Sequence, residues 1–161
     1  MRACWAFLLL VGCAAQAARL VPAAALPAND VLGTDGRSAS LRATVAGSVA
    51  VIDLWATWCT ACEQERPKLE RLYAAYREQG LRVVGLDVGE APSVVFAYLA
   101  EQRIAYPVFL DPDFRLADAL GEKRLPTILV VDRDGRIAHR AASLDGDTLQ
   151  RVKALLADRP H

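Results

Sequence analysis

Cys59 and Cys62 stand three residues apart in WATWCTACEQERPKL (55–69), where an apolar run gives way to a charged segment. Thiols at that spacing can form a static disulfide, half of a metal site, or a dithiol/disulfide couple that turns over. A static bridge gains little here, because closing so short a loop barely constrains the unfolded chain. A zinc site needs three or four ligands, whereas the remaining imidazoles are only His139 and His161, the latter at the chain end. His139 reads as a solvated edge-strand residue. No metal and no cofactor are expected. A redox couple has a physical basis: free N–H groups and the dipole at a helix start favour a thiolate, which is the nucleophilic form. Cys59, before the helix, is the candidate nucleophile. Cys62, one turn later and facing inward, suits the resolving role that releases a mixed disulfide.

The rest of the chain leaves this pair without companions. The opening MRACWAFLLLVGCAAQAA has a basic residue, an apolar run and then small residues, the layout of a secretory signal. Ala15-Gln16-Ala17 fits ordinary cleavage, giving a leader over 1–17. LVGC instead resembles a bacterial lipobox, with Cys13 lipidated and a leader over 1–12. Either way no disulfide framework can be built. An Ala- and Pro-rich tether over 18–29 and one domain over 30–161 are expected. Nineteen Lys and Arg balance nineteen Asp and Glu, so neither nucleic acid nor an anionic membrane surface is indicated.

The elements that must position the pair are legible from periodicity. SVAVIDLWA (48–56) is a β-branched apolar run of strand length, consistent with a central buried strand. The segment from Thr60 to Gln79 has Leu69, Leu72, Tyr73 and Tyr76 at helical spacing, with Gly80 as a stop and Pro67 as an expected kink. Residues 81–88 read as a strand and 93–103 as a helix, followed by a short strand in YPVFLD and a short helix near 114–120. A hairpin turns at Asp134-Gly135, and the last helix is capped by Asp145 or Asp147. Asp35-Gly36 marks a further hairpin before the first long strand. The order predicts an α/β sandwich with a mixed central sheet.

Asp53 is anomalous in this pattern. A carboxylate inside VAVIDLWA is costly to bury unless it is partnered or keeps its proton. Glu65 lies one helical turn beyond Cys62, where it can tune thiol ionisation, move a proton, or simply complement the helix dipole.

WATWCTAC with EQERPKL after it, and LPTILVVDRDGRI far downstream, resembles the thioredoxin superfamily, and more narrowly its exported TlpA/ResA-type thiol–disulfide oxidoreductases. The likeness spans about residues 30–158 and implies a thioredoxin fold with an N-terminal β-hairpin extension. It implies that Pro126 is the cis-proline beside the disulfide and that Leu125 offers its backbone to a substrate peptide. Glu65 matches the acid of C-x-x-C-x-x-E-x-P, and Asp53 matches the buried Asp of cytoplasmic-type thioredoxins, so this chain carries both acids. Trp58 is expected to cover the disulfide and meet substrate, and Trp55 to pack in the core. The implied activity is reduction of disulfides in exported proteins, such as apocytochrome c or copper-assembly proteins, by a monomer recharged by a membrane thiol donor of the DsbD/CcdA kind. The implied location is extracytoplasmic. Thr60 and Ala61 between the cysteines do not set the direction, which leaves a disulfide oxidant or isomerase open. A copper chaperone, whose relatives use C-x-x-x-C and a distant His, and a peroxidase of the same fold are further alternatives.

Overall fold

Every residue of β3 (Val49–Trp55) is buried, because this apolar run lies inside the sheet with helices on both faces. The computed structural model describes residues 24–158. Before β3 come β1 (Asp30–Gly33), β2 (Ser38–Ser40) and the short α1 (Leu41–Val45). After it come α2 (Thr60–Tyr76), β4 (Leu81–Val88), α3 (Pro92–Glu101), β5 (Val108–Asp111), α4 (Arg115–Leu120), β6 (Thr127–Val131), β7 (Ile137–Ala141) and α5 (Gly146–Ala157).

The seven strands form one mixed sheet in the order β2-β1-β5-β4-β3-β6-β7. β3 pairs in parallel with β4, and β4 with β5. The connections between them are α2 and α3, as parallel strands require crossovers. β6 runs antiparallel to β3 and forms the expected hairpin with β7. The β1–β2 hairpin is also present, and β1 adds antiparallel to β5 at the far side of the sheet.

Strand alternation divides the core. Ala50, Ile52 and Leu54 face one layer with Leu41 and Val45 of α1 and Leu116 and Leu120 of α4. Val49 and Val51 face the other, against Leu69 and Leu72 of α2 and Val152 and Leu156 of α5. Asp53 and Trp55 continue that second face toward the end of β3. α2 runs unbroken through Pro67 and gives way to a 3₁₀ turn that ends on Gly80 at φ 93°. That positive φ suits glycine as a helix stop.

The ordered domain begins before residue 30. Leu26 is fully buried, its N–H donates to the Gly135 carbonyl, and the Ile137 N–H donates to the Ala24 carbonyl. The last part of the segment read as a tether is therefore docked on the β6–β7 hairpin. The leader expected over 1–17 and Cys13 lie outside the described residues. Asp145, not Asp147, caps α5 by accepting from the Thr148 N–H. Among the described residues no helix is long and apolar enough to cross a membrane.

Candidate active site

The cysteine pair lies where β3 turns into α2. The Cys59 N–H donates to the Ala56 carbonyl (3.1 Å), which folds the connecting turn. Cys59 is the N-cap of α2, and its Sγ accepts from the Cys62 N–H at 3.2 Å. The Cys59 sulfur thus occupies the place where a capping oxygen usually meets free helix N–H groups. Cys59 and Cys62 are joined in a disulfide, with Cα atoms 5.3 Å apart. Both are buried, packed with Trp55, Val95 of α3 and Leu110 of β5.

The turn is also held from outside. Glu90, in the loop between β4 and α3, accepts from the Thr57 N–H (2.5 Å) with one carboxylate oxygen and from the Thr57 hydroxyl (2.7 Å) with the other. Two charge-assisted bonds to a residue two before Cys59 fix the loop that presents Trp58 and Cys59.

Trp58, expected to cover the disulfide and meet substrate, is 70% exposed. It lines a cavity of about 330 Å³ with Leu54, Val88, Gly89, Phe114 and Leu125. Trp55, by contrast, is core, as expected. Leu125 is half-buried and packs on the cluster that holds the cysteines. The Leu125–Pro126 peptide bond is cis. Phe114 has φ 58°, sparsely populated for a residue with a side chain. Its ring lies on Gly89, where an added Cβ would fall 2.0 Å from Phe114 Cζ.

The two predicted acids have different surroundings. Asp53 is buried; its Oδ2 accepts from the Tyr106 hydroxyl at 3.4 Å and its Oδ1 has no partner. Burial pushes its carboxyl group up to about 7 against the opposing effects of the Tyr106 bond and the Arg66 charge, and Glu65 adds a small upward push. Tyr106 in turn is raised by burial and by the Asp53 charge. Glu65 is also buried, but both its oxygens are engaged: Lys68 Nζ donates to Oε1 at 2.7 Å and the Leu144 N–H to Oε2 at 2.9 Å. Glu65 therefore ties α2 to the turn before α5. His139 lies within reach of the Thr148 hydroxyl at 3.2 Å, on β7. Among the described residues no three His, Cys, Asp or Glu side chains gather as a metal site would.

Four further residues shape the site without any signal in the sequence. Arg66 stacks over Trp55 (5.9 Å to the ring centroid) and Tyr98 (5.3 Å), and donates to the Tyr98 hydroxyl. Tyr106 partners Asp53 across 53 residues. Glu90 clamps Thr57 across 33. Phe114 forms a wall of the cavity. None has a local spacing signal, since each contact joins elements that only the sheet topology brings together.

A Cys-x-x-Cys pair at the start of α2, above parallel β3–β4–β5 strands and accompanied by a cis-Pro turn before β6, defines a thioredoxin fold. The chain belongs to the AhpC/TSA family, whose model matches residues 18–140. It is similar to the thiol-disulfide oxidoreductase ResA of Halalkalibacterium halodurans, with 30% identity over 103 residues, 64% of this chain and 58% of that protein. The ResA of Bacillus thuringiensis is 28% identical over 110 residues, 68% of this chain and 63% of that protein. The chain thus matches about 60% of the length of these curated relatives. A crystal structure from Chlorobium tepidum, assigned as a thiol:disulfide interchange protein DsbE, superposes with a TM-score of 0.76 at 25% identity, covering 84% of this chain and 97% of that one.

Proposed function

We propose that this protein is a thiol–disulfide oxidoreductase that reduces disulfides in exported proteins through the Cys59–Cys62 couple. The observation that carries the reading is the disulfide at the N-terminus of α2, with Cys59 Sγ facing the Cys62 N–H and the Leu125–Pro126 turn packed beside it. Helix N–H groups directed at sulfur stabilise the thiolate formed on reduction. Trp58, Leu125 and the adjoining cavity supply an apolar surface against which an extended peptide can lie.

In the reaction, Cys59 thiolate attacks one sulfur of a substrate disulfide. A Cys59–substrate disulfide forms and the first substrate thiolate leaves. Cys62, once deprotonated, attacks Cys59 Sγ, restoring the Cys59–Cys62 disulfide and releasing the second substrate thiolate; two electrons have passed from protein to substrate. Asp53 suits the proton acceptor better than Glu65. Its Oδ1 is unpartnered and its carboxyl group titrates near 7, whereas both Glu65 oxygens already accept hydrogen bonds. A general base works best with a pKa near the operating pH.

The substrates that fit the family likeness are extracytoplasmic proteins with oxidised cysteine pairs, apocytochrome c and copper-assembly proteins among them. Recharging of the couple falls to a membrane thiol donor of the DsbD/CcdA kind. Export follows from the reading of residues 1–17, with Cys13 as the lipid attachment point if the lipobox is used. The role assignment is tested by trapping. Cys62→Ser should accumulate a mixed disulfide through Cys59, and Cys59→Ser should accumulate none; the reverse pattern would overturn it.

A further inference from the structure

A further buried acid, besides Asp53 and Glu65, lies beside the cysteine loop, and the reaction above does not use it. Asp87, next to last in β4, pairs in register with Trp55. It therefore shares the sheet face that carries Trp55 and leads to Thr57. It is fully buried, and neither carboxyl oxygen accepts a well-formed hydrogen bond. An ionised carboxylate there would be desolvated with only the Glu90 N–H to compensate it, which proteins avoid by keeping the proton. A protonated carboxyl group is a donor, and it needs an acceptor. The ionisable group that acts on Asp87 is the Glu90 carboxyl, three residues on. Glu90 already accepts two bonds from Thr57.

We propose that Asp87 is a positioning residue: its carboxylic acid donates a hydrogen bond to Glu90 and so holds Glu90 in its two-point grip on Thr57, which presents Trp58 and Cys59. The chain of contacts is Asp87 O–H to Glu90 carboxylate, and Glu90 carboxylate to the Thr57 N–H and O–H. Hydrogen bonds linked in such a partly buried chain strengthen one another. If Asp87 loses its proton, the same juxtaposition becomes two like charges, one of them fully buried, and the grip opens.

The other side chains on this face do not supply the missing donor: the Trp55 indole N–H, in register with Asp87, is itself buried and makes no hydrogen bond. Arg66 of α2 is committed to the rings of Trp55 and Tyr98, and Tyr98 of α3 accepts from Arg66. Asp53 of β3 is joined to Tyr106, and the β5 residue in register with Asp87 is the apolar Leu110. Burial first, and then the Glu90 carboxyl group, push the Asp87 carboxyl group up to about 8 against the smaller opposing effect of the Glu90 N–H, the direction expected for an acid that keeps its proton at neutral pH.

The value of this positioning to catalysis rests on Cys59 as the attacking sulfur, but the test needs no disulfide substrate. Hydrogen exchange at the Thr57 amide, corrected for the intrinsic pH dependence of exchange, reads the grip directly. In the oxidised parent, Thr57 protection should fall at least tenfold between pH 6.5 and pH 9.5. In Asp87→Asn, whose amide still donates to Glu90 but cannot ionise, protection should stay within about twofold across that range. In Asp87→Ala, protection at pH 6.5 should already be at least tenfold lower. Parent-like protection at pH 6.5 in Asp87→Ala would overturn the proposal, as would a loss in Asp87→Asn that tracks the parent. If Asp87→Ala does not fold, the comparison of parent with Asp87→Asn decides alone. Failure of the oxidoreductase reading would leave all of these Thr57 measurements unchanged.

Discussion

Replacing Asp53 with Asn removes one titrating carboxyl group from the centre of the sheet while keeping an oxygen that can accept from Tyr106. In the folded protein this carboxyl group holds its proton up to about pH 7, against an ordinary value of 3.8. Between those two pH values the unfolded chain has released the proton and the folded chain has kept it. Folding must then take up a proton, so the parent loses stability as pH rises through this window. The separation is roughly three units, and at about 1.36 kcal/mol per unit the loss approaches 4 kcal/mol. The Asn variant has no such loss. Urea unfolding of the oxidised parent and of Asp53→Asn at pH 4, 5.5 and 7.5 isolates the effect, because the titration of every other group, Asp87 included, largely cancels in the difference. The variant should gain on the parent by about 4 kcal/mol between pH 4 and pH 7.5, with little further change above. A difference that stays within about 1 kcal/mol across that range would refute the assignment of Asp53 as a buried acid that is neutral below pH 7.

Gly89→Ala should destabilise the protein by roughly 1–3 kcal/mol, because the residue has φ +82° and its new Cβ would fall 2.0 Å from Phe114 Cζ; unchanged stability in urea would show that Phe114 does not rest there. Asp111→Ala should cost about 2 kcal/mol, since buried Asp111 Oδ2 accepts from the Leu116 and Ala117 N–H groups at 3.0 and 2.8 Å; Asp111→Asn, which keeps an acceptor, should recover at least half of that by the same measurement.

Much of the site was legible because its signals are local. An apolar β-branched run ending in Trp-Cys, followed by residues at helical spacing, places Cys59 at a strand–helix junction without any knowledge of the fold. The likeness to a known family then singled out Pro126 and Glu65, which spacing alone does not. Asp53 stood out because a carboxyl group in an apolar strand is expensive, and the structure buries it. Its partner Tyr106 stayed hidden, since nothing in AYPVFLD announces which strand face will meet position 53. The grip of Glu90 on Thr57 was invisible for the same reason: it joins the ends of β3 and β4, which lie side by side only once the parallel sheet forms. α1 escaped notice because a five-residue helix leaves only Leu41 and Val45 as its apolar pair. The docking of Leu26 was masked by an Ala- and Pro-rich context that reads as a tether, although one buried leucine and two backbone hydrogen bonds suffice to anchor it.

The proposed reaction requires Cys59 and Cys62 to exchange electrons reversibly and in the reducing direction. Equilibrating the protein against dithiol and glutathione buffers, with the free thiols alkylated and counted by mass, measures this directly. One two-electron transition is expected, with a midpoint between about −200 and −300 mV, in the range of reductants of this chemistry. A midpoint near about −120 mV, where strong disulfide oxidants lie, would contradict the direction of the reaction, and a bridge that never opens would contradict the redox couple itself.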